Sequence, residues 1–138
     1  MKPSQLIVTV FLLFASLAHA AESDSVKHPI QNYLRAHESG NAEFIRKAFA
    51  SDARIVGNMR DEYLSLSVDQ YASRFSGKPA DDETQRKRSF EILDISGDAA
   101  MAKVVLDYPK VKFVDYMALI KIKGEWKIIN KSFHAQFK

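Results

Sequence analysis

The last third of the chain consists of four long β-rich runs with almost nothing between them. Arg88 to Ile95, Ala99 to Tyr108, Val111 to Lys123 and Glu125 to Phe137 are separated only by Ser96-Gly97-Asp98, Pro109-Lys110 and Gly124. Links that short join strands that run antiparallel. Strands that long build a sheet that has to twist and curl. A curled sheet has a concave face, and amphipathic elements must close it.

The preceding residues supply those elements. Val26, Ile30, Tyr33, Leu34 and His37 recur at steps of three and four, which draws one stripe on a helix. Gly40 stops that helix. Asn41 then caps a shorter one, with Phe44, Ile45, Ala48 and Phe49 as its inner face. Ala53 to Met59 and Glu62 to Leu66 read as strands that turn at Arg60-Asp61. Ser67 is the N-cap of a third helix with Val68, Tyr71, Ala72 and Phe75 as its apolar stripe. Gly77-Lys78-Pro79 ends it, and the charged loop 80–87 follows. The expected fold class is α+β: a curved antiparallel sheet wrapped around N-terminal helices, forming a cone with room for a pocket.

The chain opens on an export signal. Met1-Lys2-Pro3 is followed by an apolar run from Leu6 to Leu17 and by Ala18-His19-Ala20. A basic start, a short apolar stretch and an A-x-A site form the pattern of a cleavable secretory signal. The run falls short of the roughly 20 residues that span a bilayer. The expected division is therefore a signal over residues 1–20 and one domain over residues 21–138, periplasmic or secreted, with residues 21–25 as a loose terminus. There is no cysteine, so disulfides, thiol nucleophiles and cysteine metal sites are excluded and stability must come from a packed core. The net charge is +3. The basic run Arg86-Lys87-Arg88 comes just after Asp81-Asp82-Glu83, which reads as a solvated loop of mixed sign rather than a nucleic-acid surface.

Ile30-Gln31-Asn32-Tyr33-Leu34, Gly40-Asn41 and Ala48-Phe49-Ala50-Ser51-Asp52-Ala53 resemble the opening of the nuclear transport factor 2-like superfamily. Asp115-Tyr116-Met117 and Gly124-Glu125-Trp126-Lys127-Ile128-Ile129-Asn130-Lys131 resemble its closing strands. Within it, the chain is most similar to the branch called putative lumazine-binding proteins. The resemblance implies the cone fold and a homodimer, and leaves open whether a member binds, catalyses or associates. One enzyme of the superfamily, ketosteroid isomerase, forms an oxyanion hole from a tyrosine and a protonated aspartate, with a second aspartate as base. By similarity Tyr33 falls at that tyrosine and Asp115 near the oxyanion aspartate. The base falls at Gly57, and glycine takes no proton.

Asp115 is also the most informative residue by chemistry. Its strand carries Val111, Phe113, Met117 and Leu119 on the same face, and Val114, Tyr116, Ala118 and Ile120 on the other. Both faces are apolar, as in an interior strand. Such surroundings favour the neutral acid, which donates a hydrogen bond to a ligand oxygen. The structural alternative is a carboxylate bonded to a neighbouring lysine or backbone group. Tyr33 is either a ligand contact or a core tyrosine with a satisfied hydroxyl. His134 shares a strand face with Asn130, Ser132 and Gln136. If that row faces inward, His134 replaces the missing base; if outward, it is solvated. His28 and His37 have no carboxylate at metal-ligand spacing, and Arg54 reads as a surface residue.

The leading reading is an exported protein that binds a small apolar or aromatic molecule. Tyr33, Phe49, Phe75, Phe113, Asp115 and His134 form its candidate ligand-binding set. The first rival is an isomerase, dehydratase or cyclase using Tyr33, Asp115 and His134. The second is a dimeric association domain without a ligand. No metal, cofactor, nucleic-acid or membrane partner is expected of the mature chain.

Overall fold

The computed structural model describes residues 3–138, with side chains from Phe14 onward. Met1-Lys2, the basic start of the expected export signal, lies outside the described residues. Helix α1 (Pro3–Ser25) comes first, followed by α2 (Lys27–Ser39), α3 (Glu43–Ala48), β1 (Phe49–Met59), β2 (Glu62–Ser67) and α4 (Val68–Ala72). A 3₁₀ turn (Glu83–Gln85) leads into β3 (Lys87–Ser96), β4 (Ala99–Asp107), β5 (Val111–Ile122) and β6 (Glu125–Phe137). Among the described residues no helix is long and apolar enough to cross a membrane. Residues 21–25 form the last turn of α1 instead of a loose terminus. Glu22 holds them, because its carboxylate accepts from Trp126 Nε1 at 2.7 Å and from Lys121 Nζ at 2.8 Å.

The helices bury the stripe their spacing draws. Ile30, Tyr33 and Ala36 of α2 are fully buried, and Pro29 is tolerated because it sits in the first turn, where its absent N–H has no partner to lose. Gly40 closes α2 at φ 70°, with its N–H on the Ala36 carbonyl at 2.8 Å. A side chain there would run into the backbone of Lys78. Asn41 Oδ1 accepts from the Glu43 N–H at 2.9 Å and so starts α3. That helix stops at Ala48, so Phe49 opens β1 rather than completing a helix face. It remains buried. Ser67 and Gln70 cap α4 reciprocally in a capping box.

The sheet order is β2-β1-β6-β5-β4-β3. The meander β3 to β6 is antiparallel, as is β1 with β2, while the β1–β6 pair that joins the two halves runs parallel. The sheet curves without closing, and the helices lie in its concave face. Val104, Leu106, Met117, Leu119 and Ile128 project into the core with Ile30 and Ile45, each at most 1% exposed. Full burial of such a side chain stabilises by about 1.5–3 kcal/mol.

One irregularity decides which residues face the helices. On β6, Trp126 and Ile128 point inward. Strict alternation would continue that face through Asn130, Ser132 and His134. The ladder shifts instead: Leu119 pairs with Ile128 and Ala118 with Asn130, leaving Ile129 as an extra residue. This β-bulge reverses the parity of the strand. Lys131 and Phe133 turn inward, and Ser132 and His134 turn out and are exposed.

Candidate functional site

Four elements bring polar side chains to one place in the cone. Helix α2 presents Tyr33 and, one turn later, His37. Helix α4 presents Tyr71, β5 presents Asp115, and the bulged β6 presents Lys131. Tyr33 donates to Asp115 Oδ2 at 2.6 Å, and Lys131 Nζ donates to Tyr33 Oη at 2.7 Å. Lys131 Nζ also lies 3.2 Å from Asp115 Oδ1 and donates to Tyr71 Oη at 3.3 Å. His37 continues the network, with Nε2 at 2.9 Å from Tyr71 Oη and Nδ1 at 3.1 Å from Tyr108 Oη. Arg88 closes it by donating to Tyr108 Oη at 3.2 Å, to the His37 carbonyl at 3.1 Å and bidentately to Glu83.

Burial sets the protonation of these groups. Tyr33 is held well above the ordinary phenol range, by desolvation first and then by the Asp115 charge, so it stays a donor. Desolvation pulls the Lys131 ammonium down, but Tyr71 and Asp115 outweigh it and the net direction is up. Lys131 is therefore a fixed cation. His37 is pushed well below 6.5, by desolvation first and then by the positive charges of Lys131, Arg88 and Arg86. Its imidazole is neutral.

A cavity of about 160 Å³ lies against this network. Ile55, Leu66, Leu106, Phe113 and Phe133 form apolar walls, and Lys131, Tyr71 and His37 make its polar end. An adjoining cavity of about 400 Å³ shares His37, Tyr71, Arg74 and Phe113 with it and adds Phe75, Arg86 and Tyr108. Among the described residues no group of three or more metal-ligating side chains converges.

The sequence candidates are placed as follows. Tyr33 and Asp115 meet, but each is fully buried and neither lines either of these two cavities. The Asp115 carboxyl accepts from Tyr33 and stands 3.2 Å from the Lys131 ammonium. Phe113 lines both cavities and Phe75 the outer one. Phe49 is packed edge-on against Tyr33 and Tyr71, at 6.1 and 6.2 Å between ring centroids, and lines neither. His134 is exposed on the opposite face of the sheet, because the bulge at Ile129 turned it out. The polar side chains that line the inner cavity are Lys131, Tyr71, His37 and Arg74. Lys131 was signalled only indirectly, by the need of a lone buried acid for a counter-ion.

The model of the family described as Putative lumazine-binding matches residues 21–134. A nuclear transport factor 2-like protein from Methylobacillus flagellatus is 32% identical, with a TM-score of 0.73 over 84% of this chain and 93% of that one. Another from Silicibacter pomeroyi gives a TM-score of 0.73 at 20% identity, over 86% of this chain and 98% of that one, a likeness of fold. Aldolase FrzH of a Cladobotryum species is 24% identical over 118 residues, covering 84% of this chain and 93% of that protein.

Two outcomes follow from the buried charges. Lys131→Met strands the Asp115 carboxylate and should cost about 3–5 kcal/mol in urea unfolding, while adding Asp115→Asn should recover much of that loss. His37 has a folded pKa below its unfolded one, so the unfolded chain binds the extra proton and stability rises with pH. Its contribution is complete above about pH 6.5 and is lost as pH falls below that toward the folded value. The urea midpoint of the wild type should fall between about pH 7.5 and 5, and His37→Gln should flatten that slope.

Proposed function

The chain belongs to the family described as Putative lumazine-binding, and on that premise we propose an exported protein that binds a small, apolar-bodied molecule in the cavity between α2, α4 and the sheet. The ligand's polar end meets Lys131, Tyr71 and His37, and its body lies against Phe113, Phe133 and the aliphatic walls. One observation carries this reading: a cation only 4% exposed stands at the end of an apolar-walled hollow. Holding an ion there costs several kcal/mol unless it is well paired. An apolar residue would fill a purely structural core more simply. Apolar walls with a few convergent polar groups are the usual composition of a ligand pocket. Export is supported by the composition of the first 20 residues and by Phe14 and Leu17, which stand 68% and 62% exposed on α1, apolar groups that a mature domain has no use for.

Protein purified from its own host tests both parts. Intact mass under native conditions should show a bound small molecule that Lys131→Met no longer carries, and the mature chain should begin at Ala21. Wild-type protein that carries nothing, and that binds none of a panel of small aromatics including lumazine, removes the reading.

A catalytic reading, of isomerase, dehydratase or cyclase type, is favoured by a neutral imidazole bonded to a phenol beside a fixed cation, the parts needed to move a proton on a carbonyl compound. The similarity to an aldolase supports it. In this reading His37 stands in the place first considered for His134. For assembly we propose a homodimer through the outer sheet face, where Met101 and Tyr116 are 43% and 45% exposed. Sedimentation should give twice the chain mass at micromolar concentration, and a monomer at high concentration excludes it.

A further inference from the structure

We propose that the ligand of the cone is an organic acid: its apolar body fills the inner cavity, and its carboxylate is received by Arg74, which lines the inner and the outer cavity alike. The proposal rests on the inner cavity binding a small molecule and adds that molecule's charge and chemical class.

The balance of charge around the two cavities leads to it. Lys131, Arg74, Lys78 and Arg86 each line one or both, and among the described residues no Asp or Glu lines either. Two of these four cations are already compensated. Lys131 has the Asp115 carboxylate at 3.2 Å. Arg86 has Asp82 at 2.7 Å and lies over the Tyr108 ring, 4.2 Å from its centroid. Arg74 and Lys78 have no ion pair and no side-chain hydrogen bond among the described residues. The neighbouring loop offers them no counter-ion. Its Asp82 and Glu83 hold Arg86 and Arg88, and its Asp81 is exposed and lines neither cavity. The uncompensated charge of the paired cavities is therefore positive, and Arg74 is the part of it that reaches the apolar inner one.

The chain sets Arg74 there through its backbone. The Arg74 N–H bonds the Tyr71 carbonyl at 3.1 Å and continues the turn of α4, which puts residues 71 and 74 on one side of it. Phe75 packs edge-on against Tyr71 and His37, at 5.4 and 5.1 Å between ring centroids, and fixes that turn. A guanidinium is a planar fork that matches the two oxygens of a carboxylate. Low-dielectric walls beside it focus its field. Apolar contact in the inner cavity, about 160 Å³, supplies affinity for a body the size of one substituted ring whatever its charge. Arg74 then selects the acid over a neutral molecule of the same shape, and Lys78 on the outer cavity adds to the same field.

The probes are 3-phenylpropanoate and its neutral amide, 3-phenylpropanamide, titrated calorimetrically into the mature chain at low and at high salt. Wild type should bind the acid about tenfold more tightly than the amide, the lower end for a hydrogen bond between charged groups because Arg74 is exposed. High salt should erode that preference. Arg74→Met keeps an apolar stem and should remove most of the acid-over-amide ratio. Its urea midpoint should stay at the wild-type value, since the Arg74 side chain bonds nothing in the fold. If the amide binds wild type as tightly as the acid, or if the preference survives in Arg74→Met, the acid inference is overturned while the cavity reading stands. If neither probe binds, the inference is overturned as well, and the intact mass of protein from its own host decides the cavity reading separately.

Discussion

An ion pair removed from solvent fixes how helix and sheet meet in the cone. Lys131 and Asp115 are 4% and 0% exposed, on adjacent strands, with nitrogen and oxygen 3.2 Å apart. Removing two such ions from water costs several kcal/mol each, and their attraction offsets this only if their other hydrogen-bonding groups are satisfied. Tyr33 supplies what is missing by accepting from the lysine and donating to the acid. One phenol therefore fastens α2 to both β5 and β6. Apolar burial between helix and sheet is non-directional, whereas this triad works only in one register. Asp115 Oδ1 has the ammonium nearby but no well-oriented hydrogen bond, so the acid depends heavily on its two partners.

The same helix extends this order outward. His37 lies one turn beyond Tyr33 and bridges Tyr71 of α4 to Tyr108 at the end of β4. Arg88 then ties that tyrosine to the His37 carbonyl and to Glu83 in the charged loop. The loop, which carries many charges, is thus anchored to the network through Arg88–Glu83, with Arg86–Asp82 a second ion pair within it. Both cavities share a wall of residues held by this chain of bonds. Rigid support of that kind lowers the ordering cost of binding and fixes donors in place.

The sequence made the elements legible because their signals are local. The stripe of α2, the caps at Asn41 and Ser67, and the short links of the meander each act within a few residues. Asp115 and Tyr33 stood out because an acid in an apolar strand and a phenol on an inner stripe are chemically conspicuous, and they do meet. Their roles were not legible. The acid's partner sits on another strand, and its direction depends on an extra residue at Ile129 that pairs with nothing. No composition signal marks that bulge, since Ile128 and Ile129 are identical side chains. Without it, alternation from Trp126 carries His134 inward and Lys131 outward. A one-residue shift in one strand thus exchanged a solvated histidine for a buried cation.

Gly57 completes the argument about chemistry. A Cβ at that position would lie 2.6 Å from the Phe133 carbonyl and 2.7 Å from its ring. The space from which β1 would present a carboxylate base is filled by the aromatic wall that β6 presents after its bulge. Phe133 lines the inner cavity, so the feature that brings Lys131 inward also closes the route for a base from that side. The polar side chains left at that cavity come from α2, from α4 and the turn just after it, and from the sheet: His37, Tyr71, Arg74 and Lys131. A carboxylate at position 57 is incompatible with this packing, whereas the cavity beside Lys131 stays open.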